Sequence, residues 1–247
     1  MKAVIIICSL FALLFVSCDG MNDNIKEYLD RGEVAYIGRV DSAKTAGGIN
    51  RIKLLWKINA DPRIASCKIF WNDKQDSVSF PIDRGQIDKD GYLSHILEDM
   101  PEGTFIFNLY HVGVDNSLSI SSEVEGAVYG DIYKSNLNPR KIRLVESLAD
   151  KVNLYWEEGG NSSNVLFTYT NRAGEKKTID IPVSETVTVI DDYVLGGEYS
   201  YKTIFLPEKD ALDQFELDSP VDKFPTYYVG DGSLDDKFPG YPKFDRT

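Results

Sequence analysis

The side chains that most often carry out catalysis are few and scattered in this sequence of 247 residues. Its two histidines, His95 and His111, lie 16 positions apart, and neither has a second metal-binding side chain at the spacing of a zinc site. The sequence also lacks the Gly-x-Ser-x-Gly motif of serine hydrolases and the glycine-rich loops that bind phosphate. Because His111 is in phase with Phe107 and Leu109, we predict a satisfied histidine on a strand rather than a catalytic base.

Carboxylates are abundant: 39 Asp and Glu against 27 Lys and Arg give a net charge of −12. On so acidic a chain most of them are expected to face solvent, so their number does not by itself indicate the carboxylate pair of a glycosidase. The loop of residues 83–91 comes nearest to a calcium loop, but Gln86 and Leu97 stand where an EF-hand requires oxygen ligands. An irregular Ca²⁺ site and an ordinary acidic turn both stay open there, and the turn is favoured.

We therefore expect no catalytic activity, no metal and no cofactor. The negative charge also argues against nucleic acid as a partner, because phosphate binding needs clustered Lys and Arg.

Exposed aromatic rings are the remaining candidates, since sugar rings stack on exposed Tyr and Trp faces. Trp56 and Trp156 are in phase with core residues and are predicted to be buried. The candidate ligand-contact aromatics lie on the predicted wet faces of strands or in the C-terminal tail: Phe70, Tyr110, Tyr155, Tyr227 and Tyr228.

β-Strands must position these rings, because apolar and polar residues alternate around them with a period of two. Ile52, Leu54 and Trp56 alternate with polar positions, and Val152, Leu154 and Trp156 repeat the pattern 100 residues later. Two further pairs of segments match at offsets of 101 and 94, so the chain contains two copies of one all-β unit. Short strands separated by turn signals predict an antiparallel sandwich for each copy. Helix is expected only at residues 24–31 and 132–136.

Before the repeats, residues 3–16 form an apolar run that follows Met1-Lys2 and is too short to span a bilayer. The sequence Leu14-Phe-Val-Ser-Cys18 resembles a bacterial lipobox. The resemblance implies cleavage before Cys18 and a lipid anchor on it; an ordinary signal peptide with an incidental cysteine is the alternative. Asp19 and Asp23 partly match the acidic segment that accompanies surface export in Bacteroidetes lipoproteins. An outer-membrane location, facing outward, is the expectation.

After cleavage the only cysteines would be Cys18 and Cys67, so no disulfide framework is expected. Cys67 alternates with Ile69 and Trp71 and is predicted to be a small buried side chain.

Cys67-Lys-Ile-Phe-Trp71 and Leu195-Gly-Gly-Glu-Tyr-Ser-Tyr201 resemble strand C and the turn into strand F of fibronectin type III domains. The resemblance implies two tandem fibronectin-III/Ig-like sandwiches, with Tyr199 as a tyrosine corner whose hydroxyl bonds upstream backbone. Phe105, at the matching position of the first copy, lacks that hydroxyl. The expected organisation is a signal peptide (1–17), a lipidated Cys and tether (18–33), a first domain (34–126), a linker (127–138), a second domain (139–219) and a tail (220–247).

Several stretches, among them Ala35-Tyr-Ile-Gly-Arg-Val-Asp41 and Gly126-Ala-Val-Tyr-Gly-Asp-Ile-Tyr133, are similar to a family of Bacteroidetes surface lipoproteins with tandem fibronectin type III-like domains. Some relatives carry a C-terminal discoidin-type domain. The resemblance implies architecture and location but no chemistry. Ser42 and Ser77 also stand in Asp-Ser-aliphatic patterns that resemble Bacteroidetes O-glycosylation sites.

The tail, with six aromatics and three prolines from Val221 onward, is a strap on the second copy, a linker or an adhesive segment. Together these features predict a non-catalytic surface lipoprotein that acts as a binding or adhesion module with glycan as its ligand. The alternative is a structural spacer or accessory subunit of an envelope protein complex.

Overall fold

Alternating side chains build the first sandwich in the computed structural model, which describes residues 36–228. In β2 (Arg51–Lys57) every second side chain is buried, so one face of the strand lies in a core. The other strands are β1 (Asp41–Gly48), β3 (Ile64–Trp71), β4 (Asp76–Pro81), β5 (Tyr92–Leu97), β6 (Gly103–Gly113) and β7 (Ser122–Val128), with a 3₁₀ turn at Arg84–Gln86. They form antiparallel sheets in the orders β1-β2-β5 and β4-β3-β6-β7.

The second sandwich repeats this arrangement after a short helix, α1 (Asp131–Ser135). Its strands are β8 (Ile142–Ser147), β9 (Val152–Trp156), β10 (Ser162–Thr170), β11 (Lys176–Pro182), β12 (Val187–Ile190), β13 (Glu198–Phe205), β14 (Phe215–Asp218) and β15 (Asp222–Lys223). The sheet orders are β12-β9-β8 and β11-β10-β13-β14, and β15 also pairs with β13.

The strands of the two units are arranged in the same order. The predicted fold class, all-β with two tandem fibronectin-III-like sandwiches, is therefore confirmed. β2 corresponds to β9, β4 to β11 and β6 to β13, as the repeat predicts. We call the two units domain 1 (β1–β7) and domain 2 (β8–β15).

Each domain has its own aromatic core, and the predicted core tryptophans lie in them. Trp56 packs beside Phe80 in domain 1, and Trp156 packs edge-on against Phe167 and Tyr201 in domain 2. Cys67 is fully buried, as predicted.

Tyr199 does not form the predicted tyrosine corner. Its hydroxyl donates to the Asp222 carboxylate at 3.1 Å, not to upstream backbone. The reason lies in the tail: β15 pairs with the start of β13 and brings Asp222 opposite Tyr199. Phe105, at the equivalent place in domain 1, packs against Phe107.

The first residues after the predicted end of domain 2 belong to its core. Phe224 is 1% exposed and contacts the rings of Tyr193 and Tyr199. Residues 221–228 therefore pack on domain 2 as the strap interpretation of the tail predicts. Residues 229–247 lie outside the described part of the chain. β7 similarly continues to Val128, beyond the predicted boundary at 126, and α1 lies in the predicted linker.

A joint connects the domains, formed by the β13–β14 loop (residues 206–214) and the β1–β2 turn. Asp213 accepts hydrogen bonds from the Ile49 N–H at 2.8 Å and from Arg51 Nε and Nη2 at 3.0 and 2.6 Å. The Glu208 carboxylate accepts the Gly47 N–H, and the Leu212 N–H donates to the Gly47 carbonyl at 2.8 Å. We call these residues the interdomain joint.

Aromatic packing extends the joint onto α1. The ring of Tyr133 lies 5.0 Å from those of Tyr129 and Phe215, which belong to opposite sides of the joint. The Glu102 carboxylate accepts the N–H groups of Ile132 and Tyr133 and so holds the helix against domain 1.

The signal peptide, Cys18, the tether and the predicted helix at 24–31 lie outside the described residues. Within residues 36–228, no helix has the length and apolar character needed to cross a membrane.

Candidate ligand-binding surfaces

Two of the predicted ligand-contact aromatics, Phe70 and Tyr110, come together on the outward face of the four-stranded sheet of domain 1. They lie on the neighbouring strands β3 and β6, and their ring centroids are 5.7 Å apart at 84°. Both are half-buried. Their orientation follows from the alternation, since Cys67 and Ile69 on the same strand point into the core.

Two lysines flank this aromatic pair. Lys68 Nζ lies 4.7 Å from the Phe70 ring centroid, and Lys74 Nζ lies 3.3 Å from the Tyr110 hydroxyl. Lys74 reaches it because three successive turn residues between β3 and β4, Asn72 to Lys74, have positive φ. We call Phe70, Tyr110, Lys68 and Lys74 the aromatic face.

Tyr155 lies in domain 2, on the outward face of the three-stranded sheet. Its hydroxyl donates to Glu146 at 3.0 Å. In the sheet register it stands between Leu144 and Val187, both exposed. We call Leu144, Tyr155 and Val187 the apolar stripe; Tyr155 thus belongs to a different surface from Phe70 and Tyr110.

Tyr227 and Tyr228 follow β15 and are 67% and 40% exposed. They lie on domain 2 and do not contribute to the aromatic face.

The two serines predicted to carry O-glycans lie at exposed positions on domain 1. Ser42 has φ 49° at an irregularity of β1, and Ser77 pairs with Phe70 across β3 and β4. Modification at either serine stays a prediction.

The side chains with catalytic potential are separated and already engaged. His111 is buried, and its Nδ1 lies 2.8 Å from the Gly38 carbonyl; desolvation lowers its pKa. His95 stacks on Phe80 at 4.0 Å, and burial lowers its pKa too. Burial raises the pKa of the Cys67 thiol to about 12.

The acidic loop of residues 83–91 uses its carboxylates locally. Asp83 accepts the Gly85 N–H, and Asp88 accepts those of Asp90 and Tyr92. Hydrogen bonds from these N–H groups lower the pKa of Asp88. Within residues 36–228, no three His, Cys, Asp or Glu side chains are grouped closely enough to hold a metal ion.

Domain 2 also has a cleft that the alternation pattern does not predict. It is an open cleft of about 600 Å³ between β8 and the segment from β13 to β15. The β8 segment lines one side, with Lys141, Arg143 and Leu144 of the apolar stripe among its residues. Tyr201 and Asp222 line the other side. The sequence signal is Pro220, which interrupts the last strand after Asp218. We call this the seam cleft.

Residues 18–215 match the model of the family DUF4998, described as a domain of unknown function. No curated protein shows significant similarity to the sequence.

Solved structures with a similar fold include a segment of chicken tenascin with two fibronectin type III domains. It is 11% identical, with a TM-score of 0.30, over 74% of this chain and 99% of the tenascin segment. The FN1–FN3 domains of chicken CNTN1 are 8% identical, with a TM-score of 0.42, and the match covers 76% of this chain and 66% of that one.

Proposed function

From the premise that this chain belongs to the DUF4998 family, domains of unknown function, we propose that it is a non-catalytic glycan-binding module of the cell surface. A lipid on Cys18 holds it in the outer membrane, facing outward. The fibronectin-III-like sandwich is a fold used for binding and structural roles, and the specific ligand has to be argued from its surfaces.

The aromatic face carries this proposal. Phe70 and Tyr110 are adjacent, half-buried and held by two strands, so they form a preorganised contact surface. Lys68 and Lys74 add hydrogen-bond donors at its edges for sugar hydroxyls or carboxylates. A ring stack supported by a few polar groups is the composition expected of a specific binding site.

A glycan array probed with the Asp19–Thr247 chain tests this proposal. We expect binding that is lost in the Phe70→Ala and Tyr110→Ala variants. Tyr155→Ala is the matched control, because Tyr155 is also half-buried on an outward face but lies in domain 2. An array on which no glycan is bound would reject the aromatic face as a glycan site. So would equal binding by the natural chain and all three variants.

The interdomain joint and the apolar stripe support a second candidate, an accessory subunit of an envelope protein complex. A spacer needs a fixed angle between its domains, which the bidentate Arg51–Asp213 pair favours. A protein partner needs an apolar contact such as Leu144, Tyr155 and Val187. Co-purification of an envelope protein that is lost in Leu144→Asp, together with a silent glycan array, would favour this function.

The lipid anchor has its own test. Metabolic labelling with a tagged fatty acid should mark the full chain and fail in Cys18→Ala. Protease added to intact cells should degrade the labelled protein if it faces outward; protection would place it in the periplasm.

A further inference from the structure

We propose that the seam cleft of domain 2 binds a uronic acid unit, a sugar ring that carries a carboxylate. This inference concerns a different surface from the aromatic face, which lies on domain 1. The two proposed sites can therefore be confirmed or rejected independently.

The cleft exists because the last strand of domain 2 is broken. β14 pairs with β13 at residues 202–205, and β15 pairs with it again at Glu198 and Tyr199. Ser219 still bonds to β13, because its N–H donates to the Tyr201 carbonyl at 2.8 Å and its hydroxyl accepts the Tyr201 N–H at 2.9 Å. The break is at Pro220 and Val221, since a proline has no N–H to donate to the ladder. The interrupted strand leaves an opening toward β8, the edge strand of the other sheet.

The volume and the lining suit a small ligand with an apolar face. About 600 Å³ falls within the range of small-molecule sites. Tyr201 is half-buried and fixed edge-on against Trp156, with ring centroids 5.4 Å apart, so its position does not depend on a ligand. Ile142 and Val221 supply further apolar surface. The C–H face of a sugar ring fits such a surface.

The charges on the two sides differ, and they define the polar ends of the ligand. Lys141 and Arg143 line the β8 side, and neither forms a salt bridge with any acidic group in residues 36–228. A guanidinium binds a carboxylate through two parallel hydrogen bonds. On the opposite side, Asp222 Oδ2 accepts the Tyr199 hydroxyl at 3.1 Å and Oδ1 accepts the Lys223 N–H at 2.8 Å. Each carboxylate oxygen can accept a second hydrogen bond, so sugar hydroxyls can still donate to Asp222.

These requirements select the ligand class. Lys141 and Arg143 are exposed, and a neutral sugar would make no charged contact with either of them. A simple fatty or aromatic acid would offer no hydroxyl to Asp222. A hexuronic acid supplies the carboxylate, the hydroxyls and the ring face together.

Calorimetric titration of the Asp19–Thr247 chain with trigalacturonate tests the proposal. We expect saturable binding that weakens with added salt, because the contact is between charges. Arg143→Gln should weaken it about tenfold, the usual effect of removing a charged hydrogen-bond pair. Lys141→Gln should weaken it less, and the methyl ester of trigalacturonate should not bind.

Lys176→Gln is the matched control, because this lysine is exposed on β11 and away from the cleft. Binding unaffected by Arg143→Gln, binding of the methyl ester equal to that of the acid, or no binding would each overturn the proposal. So would a loss in Phe70→Ala with Arg143→Gln unaffected, which would place the acid on the aromatic face instead.

Discussion

The two domains of this chain have the same strand order but differ where the first strand meets the last. In domain 1, β1 lies against β7: the Thr45 hydroxyl donates to the Glu125 carbonyl at 3.0 Å, and the Ser122 hydroxyl donates to the Val40 carbonyl. In domain 2 the corresponding seam is open and forms the cleft. The difference shows that a shared topology leaves the closure of a sandwich undetermined.

Single residues in the last strand account for this difference. Gly126 lets β1 approach β7, since a Cβ there would stand 2.5 Å from Ile52 Cδ1 and 2.8 Å from Thr45 Cγ2. Domain 2 has Pro220 between β14 and β15, where it breaks the ladder along β13. Domain 2 compensates with Phe224, for which domain 1 has no counterpart strap.

The outward faces of β2 and β9 also differ although their buried faces match. β2 presents Lys53, Leu55 and Lys57, whereas β9 presents Asn153 and Tyr155. Core positions repeat because both sandwiches need the same packing, while outward positions are free to serve separate contacts.

The largest expected effect comes from removing the strap. Phe224→Ala should destabilise domain 2 by about 3–5 kcal/mol, the usual cost of deleting a buried aromatic ring. Domain 1 should be unchanged, which hydrogen exchange resolved by domain can measure. Tyr228→Ala, at an exposed position, is the control. Equal loss of protection in both domains would show that they unfold as one unit.

The closed seam is tested by Gly126→Ala, which should destabilise domain 1 by about 1–3 kcal/mol because the added methyl group overpacks the contact with β1. Urea denaturation measures the effect. Glu125→Ala, the exposed neighbour, should be close to neutral. If Gly126→Ala leaves the free energy of unfolding unchanged, β1 and β7 can move apart enough to accept a methyl group. The closed contact would then not depend on this glycine.

The interdomain joint is tested by Asp213→Asn and by acid. The hydrogen bond from Arg51 lowers the pKa of Asp213 below its ordinary value of 3.8. The contribution of this carboxylate is therefore complete above that value and disappears as the pH falls through the lowered pKa. Because the pair is partly exposed, we expect at most about 1 kcal/mol.

Small-angle scattering is the readout for the joint. The distribution of angles between the two domains should become broader in Asp213→Asn at pH 7 and in the natural chain near pH 2. Lys202→Gln removes a comparable exposed pair inside domain 2 and should leave the scattering unchanged. An unaltered curve for Asp213→Asn would show that the aromatic packing around Tyr133 is sufficient.

The smallest effect is on Cys67, which reports opening of domain 1. Burial raises the pKa of the Cys67 thiol to about 12, so very little reactive thiolate forms at pH 8. Labelling of the Asp19–Thr247 chain by a thiol reagent should therefore be slow, and it should accelerate in Gly126→Ala. Fast labelling of the natural chain would contradict the closed core.

Much of the fold could be predicted from the sequence. Period-two alternation is visible within each single strand, and the internal repeat is visible when the sequence is compared with itself. The burial of Trp56, Trp156 and Cys67 followed from them. The partner of Tyr199 could not be predicted, because it depends on β15, a two-residue strand without alternation.

The candidate sites divide in the same way. The alternation alone determined that Phe70, Tyr110 and Tyr155 face outward. Only the tertiary structure decided that the first two are neighbours and the third lies on another surface, because strand register depends on pairing between distant segments. The seam cleft likewise required the folded chain, since Lys141, Tyr201 and Asp222 meet only when two sheets pack and one strand breaks.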